Sequence, residues 1–110
     1  MIDLRIENKL RALGLSGVYQ GYFCLIHAVL LVKEDPQRLT LLSKWLYPDV
    51  ARCCGIPVGK VDSALRAAIN RCCRSNGAEV ARMCDGVQSP TISQFIMGLL
   101  RQIEPEDTGK

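Results

Sequence analysis

The sequence has no apolar run approaching the roughly 20 residues that a membrane-crossing helix needs. Its longest, Phe23 to Val32, is broken by His27 and closed by Lys33-Glu34-Asp35. Met1-Ile2-Asp3 does not open a signal peptide, so the chain is expected in the cytoplasm and off the membrane. Six cysteines in a short chain invite a disulfide framework, but that requires an oxidising compartment, and nothing here directs export. No C-x-x-C spacing is present either, since Cys53-Cys54 and Cys72-Cys73 are adjacent pairs and Cys24 and Cys84 stand alone. A zinc ion is offered no thiolate pair, and most of these residues read as small buried hydrophobes. His27 is the single histidine and sits in the most apolar segment, at the core or its edge. Without a cluster of histidines or carboxylates around a nucleophile, neither an enzyme nor a cofactor is expected.

What is present is an ordinary globular composition, 48% hydrophobic and 23% charged over 110 residues, enough for one core in one domain. The net charge of +3 is too small to name a partner by itself. Its distribution says more. Between Lys44 and Arg82 stand seven basic residues (Lys44, Arg52, Lys60, Arg66, Arg71, Arg74, Arg82) against three acidic ones (Asp49, Asp62, Glu79). A basic middle fits a polyanion footprint, although a solvated helix face looks alike.

No repeat and no strand-like alternation occurs, and the long segments carry a helical period. The expected fold is all-α, about six to seven helices over residues 1–104, with a polar, disordered tail over 105–110. Ile2, Ile6, Leu10 and Leu13 mark a first helix stopped by Gly14, and Leu15 to Val18 a connector. The stretch from about Gln20 to Lys33, apolar on nearly all sides, reads as a central helix. Asp35 and Pro36 start a third, carrying Leu39, Leu42 and Leu46 and ending near Trp45 or Leu46, because Pro48 disfavours helical geometry at Tyr47. Trp45 is expected to pack near that helix end. Pro48 then opens a short helix to Cys54, and a longer one runs from about Val58 to Ser75, closed by Asn76-Gly77. A short helix near Glu79 to Cys84 follows, ending at Asp85-Gly86. Thr91 and Gln94 form the capping box of a last helix, which buries Phe95, Ile96, Leu99, Leu100 and Ile103 and runs to about Glu104.

Pro48, Ala51, Gly55, Ile56, Val61 and Leu65 together have helix-turn-helix grammar. A small Ala51 lets two helices cross closely, Gly55 supplies a left-handed turn, Ile56 plugs the corner, and Val61 with Leu65 anchors the second helix. An ordinary helical hairpin has the same outline, so the exposed face provides a second criterion. With Val61, Leu65, Ala68 and Cys72 inward, Gly59, Asp62, Ser63, Arg66 and Asn70 point outward, flanked by Lys60. Arg66 can donate a bidentate pair to guanine, Asp62 can accept from cytosine, Asn70 can pair with adenine, and Ser63 is permissive. Lys60, Asp62, Ser63, Arg66 and Asn70 are thus the candidate base readers, while Arg71, Arg74 and Lys44 are candidate phosphate contacts. Lys60 also suits a phosphate.

The string Leu46-Tyr47-Pro48-Asp49-Val50-Ala51, with Gly14, Gly21-Tyr22, Val61, Ala64, Arg66 and Ala67-Ala68-Ile69, resembles the C-terminal DNA-binding (effector) domain of the master regulator of sporulation initiation in endospore-forming bacteria. The resemblance covers roughly Leu10 to Gly77 and returns at Pro90-Thr91-Ile92-Ser93-Gln94-Phe95-Ile96. It implies an all-helical domain that reads double-stranded promoter boxes with a TGTCGAA-like core, often as a tandem dimer, and contacts RNA polymerase. The family's base-reading positions, basic, acidic, basic and basic, fall on Lys60, Asp62, Ser63 and Arg66. Ser63 replaces an arginine and cannot make that bidentate contact. The segment from Gly86 to Pro90 is shorter than the family's, and the polymerase-contacting surface near Leu100-Arg101 is altered. No receiver domain lies in the 110 residues, so a stand-alone domain outside phosphorylation in cis is expected. Two readings stand: an operator-binding domain, and a helix-turn-helix-shaped interaction module or competitor that modulates a full-length regulator.

Overall fold

The helical spacing of Ile6 and Leu10 produces the first of five α-helices in a computed structural model of the chain, which describes residues 4–17 and 20–103. Expectations for Ile2, Val18, Glu104 and the tail lie outside the described residues. The helices are α1 (Leu4–Ala12), α2 (Gln20–Glu34), α3 (Tyr47–Cys54), α4 (Val61–Met83) and α5 (Ile92–Ile103), with no strand among the described residues. The all-α expectation holds, but five α-helices stand where six to seven were expected. Two of the expected helices account for the difference.

The first is the segment after α2. Asp35 caps it, accepting from the Gln37 N–H at 3.1 Å, and Pro36 opens it. It then forms a 3-10 helix, Pro36–Thr40, breaks at Leu41 in extended backbone, and resumes as a π-helical turn, Leu42–Leu46. That turn runs directly into α3. Tyr47 is helical (φ −60°, ψ −41°), contrary to expectation, and its N–H donates to the Leu42 carbonyl five residues back. The wider register takes up the crowding and the lost N–H that Pro48 would impose on a continuing α-helix. It also corrects the placement of Trp45. Leu46 is fully buried and Leu39 and Leu42 pack against the core, but Trp45 is half exposed, with the Lys44 ammonium 5.1 Å from its ring centroid.

The second is the expected short helix from Glu79, which continues α4. Asn76 leaves helical geometry (φ −151°, ψ 62°), so the Asn76-Gly77 signal makes a kink in place of a stop. Gly77 does not adopt positive φ, the left-handed step that would turn the chain away. Beyond the kink Val80 and Met83 are buried, which keeps the second half on the core until Asp85 (φ +58°) and Gly86 (φ +88°) end it.

The remaining elements follow their sequence signals. Gly14 closes α1 at φ +93°. Helix α2 buries Tyr22, Leu25, Ile26, Val29 and Val32 and packs against all four other α-helices, as its nearly uninterrupted apolar sequence requires. At α5 the capping box is reciprocal: the Thr91 N–H donates to Gln94 Oε1 (2.8 Å) and the Gln94 N–H to Thr91 Oγ1 (3.1 Å). Cys24, Cys72 and Cys84 are buried, Cys54 and Cys73 half-buried, and Cys53 exposed. Burial pushes the Cys72 thiol up to about 12, and burial followed by the neighbouring Cys24 does the same for Cys54.

The first helix is tied to the far half of α4 through Glu79, which accepts from Lys9 Nζ at 2.6 Å and from Arg82 Nη2 at 2.5 Å. The Arg82 guanidinium, then the Lys9 ammonium, hold its carboxyl down to about 2. A depressed carboxylate contributes stability above its unfolded pKa, and that contribution is lost as pH falls through the folded one. Glu79→Gln is therefore expected to cost about 1 kcal/mol near neutrality, the pair being partly screened. Thermal melts of both proteins should converge as pH falls from about 4.5, the unfolded value, to about 2. A gap that persists at pH 2 would contradict this role.

Candidate nucleic-acid interface

Helices α3 and α4 meet across the turn that the spacing of Ala51 and Gly55 requires. Gly55 takes the left-handed conformation (φ +68°, ψ +34°), and its N–H donates to the Ala51 carbonyl at 2.8 Å. The Ile56 N–H reaches the same oxygen at 3.2 Å, and the Ile56 side chain packs on the core edge. Pro48 lies in the first turn of α3, Ala51 is buried, and Val61 and Leu65 are fully buried. After Pro57 a 3-10 turn, Val58–Lys60, leads into α4, so the second helix begins as a tighter turn than its expected start at Val58.

The inward stripe of α4 is Val61, Leu65, Ala68, Ile69 and Cys72. Opposite it Ser63, Arg66 and Asn70 are exposed, Asp62 is half exposed, and Lys60 stands exposed at the entrance. The candidate base readers therefore share one face at one end of the helix. Arg71 and Arg74 are exposed further along, and eight residues separate Arg66 from Arg74, about 12 Å at the helical rise. Lys44 is not on this face. It lies on the π-helical turn before α3, over Trp45.

All three acids of the basic middle are neutralised by pairing. Asp49 accepts from Arg38 Nη2 at 3.2 Å and pairs with Arg52, Glu79 holds Lys9 and Arg82, and Asp62 accepts from Arg66 Nε at 2.7 Å. Among the described residues Lys60 and Arg74 have no acidic partner. The exposed surplus on and beside α4 is accordingly positive.

A residue not picked out as functional from the sequence lies behind Asp62. Tyr47, 8% exposed at the start of α3, donates its hydroxyl to Asp62 Oδ1 at 2.6 Å. Burial and then the Asp62 carboxylate push the Tyr47 phenol up, while Arg66 first and Tyr47 second hold Asp62 below the usual carboxylate range. The signal was available, because a tyrosine with a buried ring needs a partner for its hydroxyl, but the partner is fifteen residues away on another helix. Ser63 turns its hydroxyl back to the Lys60 carbonyl at 3.1 Å, closing the first turn of α4. On α5, Leu100 is buried and Arg101 donates to the Met83 carbonyl (3.2 Å) and to Asp85 (3.1 Å), bracing the end of α4.

Among the described residues no three His, Cys, Asp or Glu side chains converge to hold a metal ion, and no helix is long and apolar enough to cross a membrane. Residues 6–103 match the family described as sporulation initiation factor Spo0A C terminal. No solved structure matches the chain.

Proposed function

This chain belongs to the Spo0A C-terminal family, a family of DNA-binding domains of transcription regulation in sporulation and not of enzymes, and from that membership we propose that α4 enters the major groove of a TGTCGAA-like promoter box. Lys60, Asp62, Ser63, Arg66 and Asn70 face the base edges, with Arg66 as the principal reader of guanine. Arg71, Arg74 and Lys44 hold the phosphates and fix register. The observation that carries this reading is the exposed polar stripe on α4, presented directly after the left-handed turn at Gly55. Two copies on tandem boxes, contact with RNA polymerase and action in the cytoplasm on the chromosome belong to the same proposal. Ser63 in place of an arginine predicts a box read loosely at one position, which selection from a random duplex pool would locate.

Electrophoretic shift titrations of a TGTCGAA duplex and a scrambled duplex at several salt concentrations test the proposal. Affinity should fall steeply with salt for both, and the box should bind more tightly throughout. Arg74→Ala should weaken both duplexes alike and reduce the slope of log affinity against log salt by about 1. Equal binding of box and scrambled DNA would overturn sequence recognition, and salt-insensitive behaviour would point instead to a protein-binding module.

A further inference from the structure

We infer that Tyr47 is a specificity-determining residue: acting through Asp62, it fixes the direction in which Arg66 meets DNA. The inference rests on the proposal that α4 reads bases. Arg66 is 62% exposed and Asp62 45% exposed, and an ion pair between two such side chains on one helix is weak and mobile. Left to itself it would not define where a long arginine points. Tyr47 changes that. Its ring is packed in the core at the start of α3, so its hydroxyl is a fixed donor, and it holds Asp62 Oδ1 at 2.6 Å. The other carboxylate oxygen, Oδ2, then accepts from Arg66 Nε at 2.7 Å.

The atom used on Arg66 matters. Among the described residues only the Nε one of the five N–H groups of the Arg66 guanidinium is engaged, which leaves the four on the terminal nitrogens for an outside acceptor. Two suffice for the bidentate contact to a guanine edge. A guanidinium gripped at Nε has lost much of its rotational freedom before DNA arrives, so less is lost on binding. The chain of contacts also crosses the turn, with Tyr47 on α3 and Asp62 and Arg66 on α4. The first helix of the motif thus sets the aim of a side chain on the second. Asp62 then serves chiefly as a positioning residue, with its remaining lone pairs open to a cytosine amino group.

Tyr47→Phe in the full chain tests this, since it keeps the ring in the core and removes only the hydroxyl. Circular dichroism, affinity for scrambled DNA and the salt slope should match the wild type. Among duplexes in which each guanine of the box is replaced in turn, discrimination against the one that Arg66 reads should fall about five- to tenfold, the worth of roughly one hydrogen bond. Tyr47→Phe combined with Arg66→Ala should discriminate no worse than Arg66→Ala alone, because both act through one contact. In free protein, the Arg66 Nε–H resonance should be resolved and slow to exchange in the wild type and lost in Tyr47→Phe. Preference retained by Tyr47→Phe, additive losses in the double variant, or an unchanged Nε–H signal would each overturn the role of Tyr47 while leaving the DNA reading intact. A wild type with no preference for any duplex would overturn both.

Discussion

Arg66→Ala is expected to remove sequence preference while leaving the fold in place. Its side chain is 62% exposed and, among the described residues, its polar partners reduce to Asp62 on the same helix, so truncation opens no cavity and strands no buried charge. Stability should stay close to that of the wild type, as for other surface substitutions away from the core. Binding responds differently. A bidentate arginine–guanine contact is worth about 1–3 kcal/mol of discrimination, so preference for the box should fall about 5- to 150-fold. Asp62 then faces the DNA without its guanidinium, which adds repulsion against phosphates on every sequence. Affinity for scrambled DNA should therefore drop slightly, and affinity for the box far more. Fluorescence anisotropy on the box and its single-base variants measures both effects. A variant that weakens all duplexes by one common factor would place Arg66 among the phosphate contacts.

The contrast between Arg66 and Trp45 shows what sequence carries and what it does not. Arg66 was placed from periodicity alone: once Val61, Leu65, Ala68 and Cys72 are inward, the geometry of an α-helix puts position 66 outward. The same reasoning located α1, α2 and the buried stripe of α5, and Gly55 followed from the spacing of the turn. Trp45 was misplaced because its segment does not keep the α period. A π-helical turn rotates side chains relative to the register assumed for them, and nothing local in Leu42–Leu46 announces it. Tyr47 keeps helical geometry although Pro48 follows it, because that wide turn absorbs the proline. At Asn76 the local stop signal is real but is overridden by burial of Val80 and Met83 beyond it. The Tyr47–Asp62 contact is long-range, and patterns along one helix cannot reveal a hydrogen bond between two.

Gly21→Ala should be strongly destabilising, because Gly21 is where α2 and α4 touch backbone to backbone. A Cβ added there would lie 2.5 Å from the Ala64 carbonyl oxygen and 2.9 Å from the Ala68 Cβ. Neither neighbour is the free end of a flexible chain, so the clash is relieved only by moving α4 as a body or by tilting α2. Overpacking of this kind costs about 1–3 kcal/mol or more, and Gly21 lies in the first turn of α2, where the helix propensity of alanine offsets little. The expected result is a melting temperature lower by about 10 °C or more. Gly77→Ala is the matched control: it lies within α4, has open space at its Cβ position, and does not adopt positive φ. It should be neutral or stabilising by up to about 1 kcal/mol. The consequence for function is geometric. The face of α4 that meets Gly21 is opposite the one carrying Ser63, Arg66 and Asn70, so a shift forced at Gly21 moves the reading stripe against α3 and pulls Asp62 from Tyr47. Gly21→Ala protein, assayed well below its lowered melting temperature, should thus lose preference for the box beyond what its folded fraction explains. Thermal melts that rank Gly21→Ala with Gly77→Ala would mean that α2 does not set the position of α4.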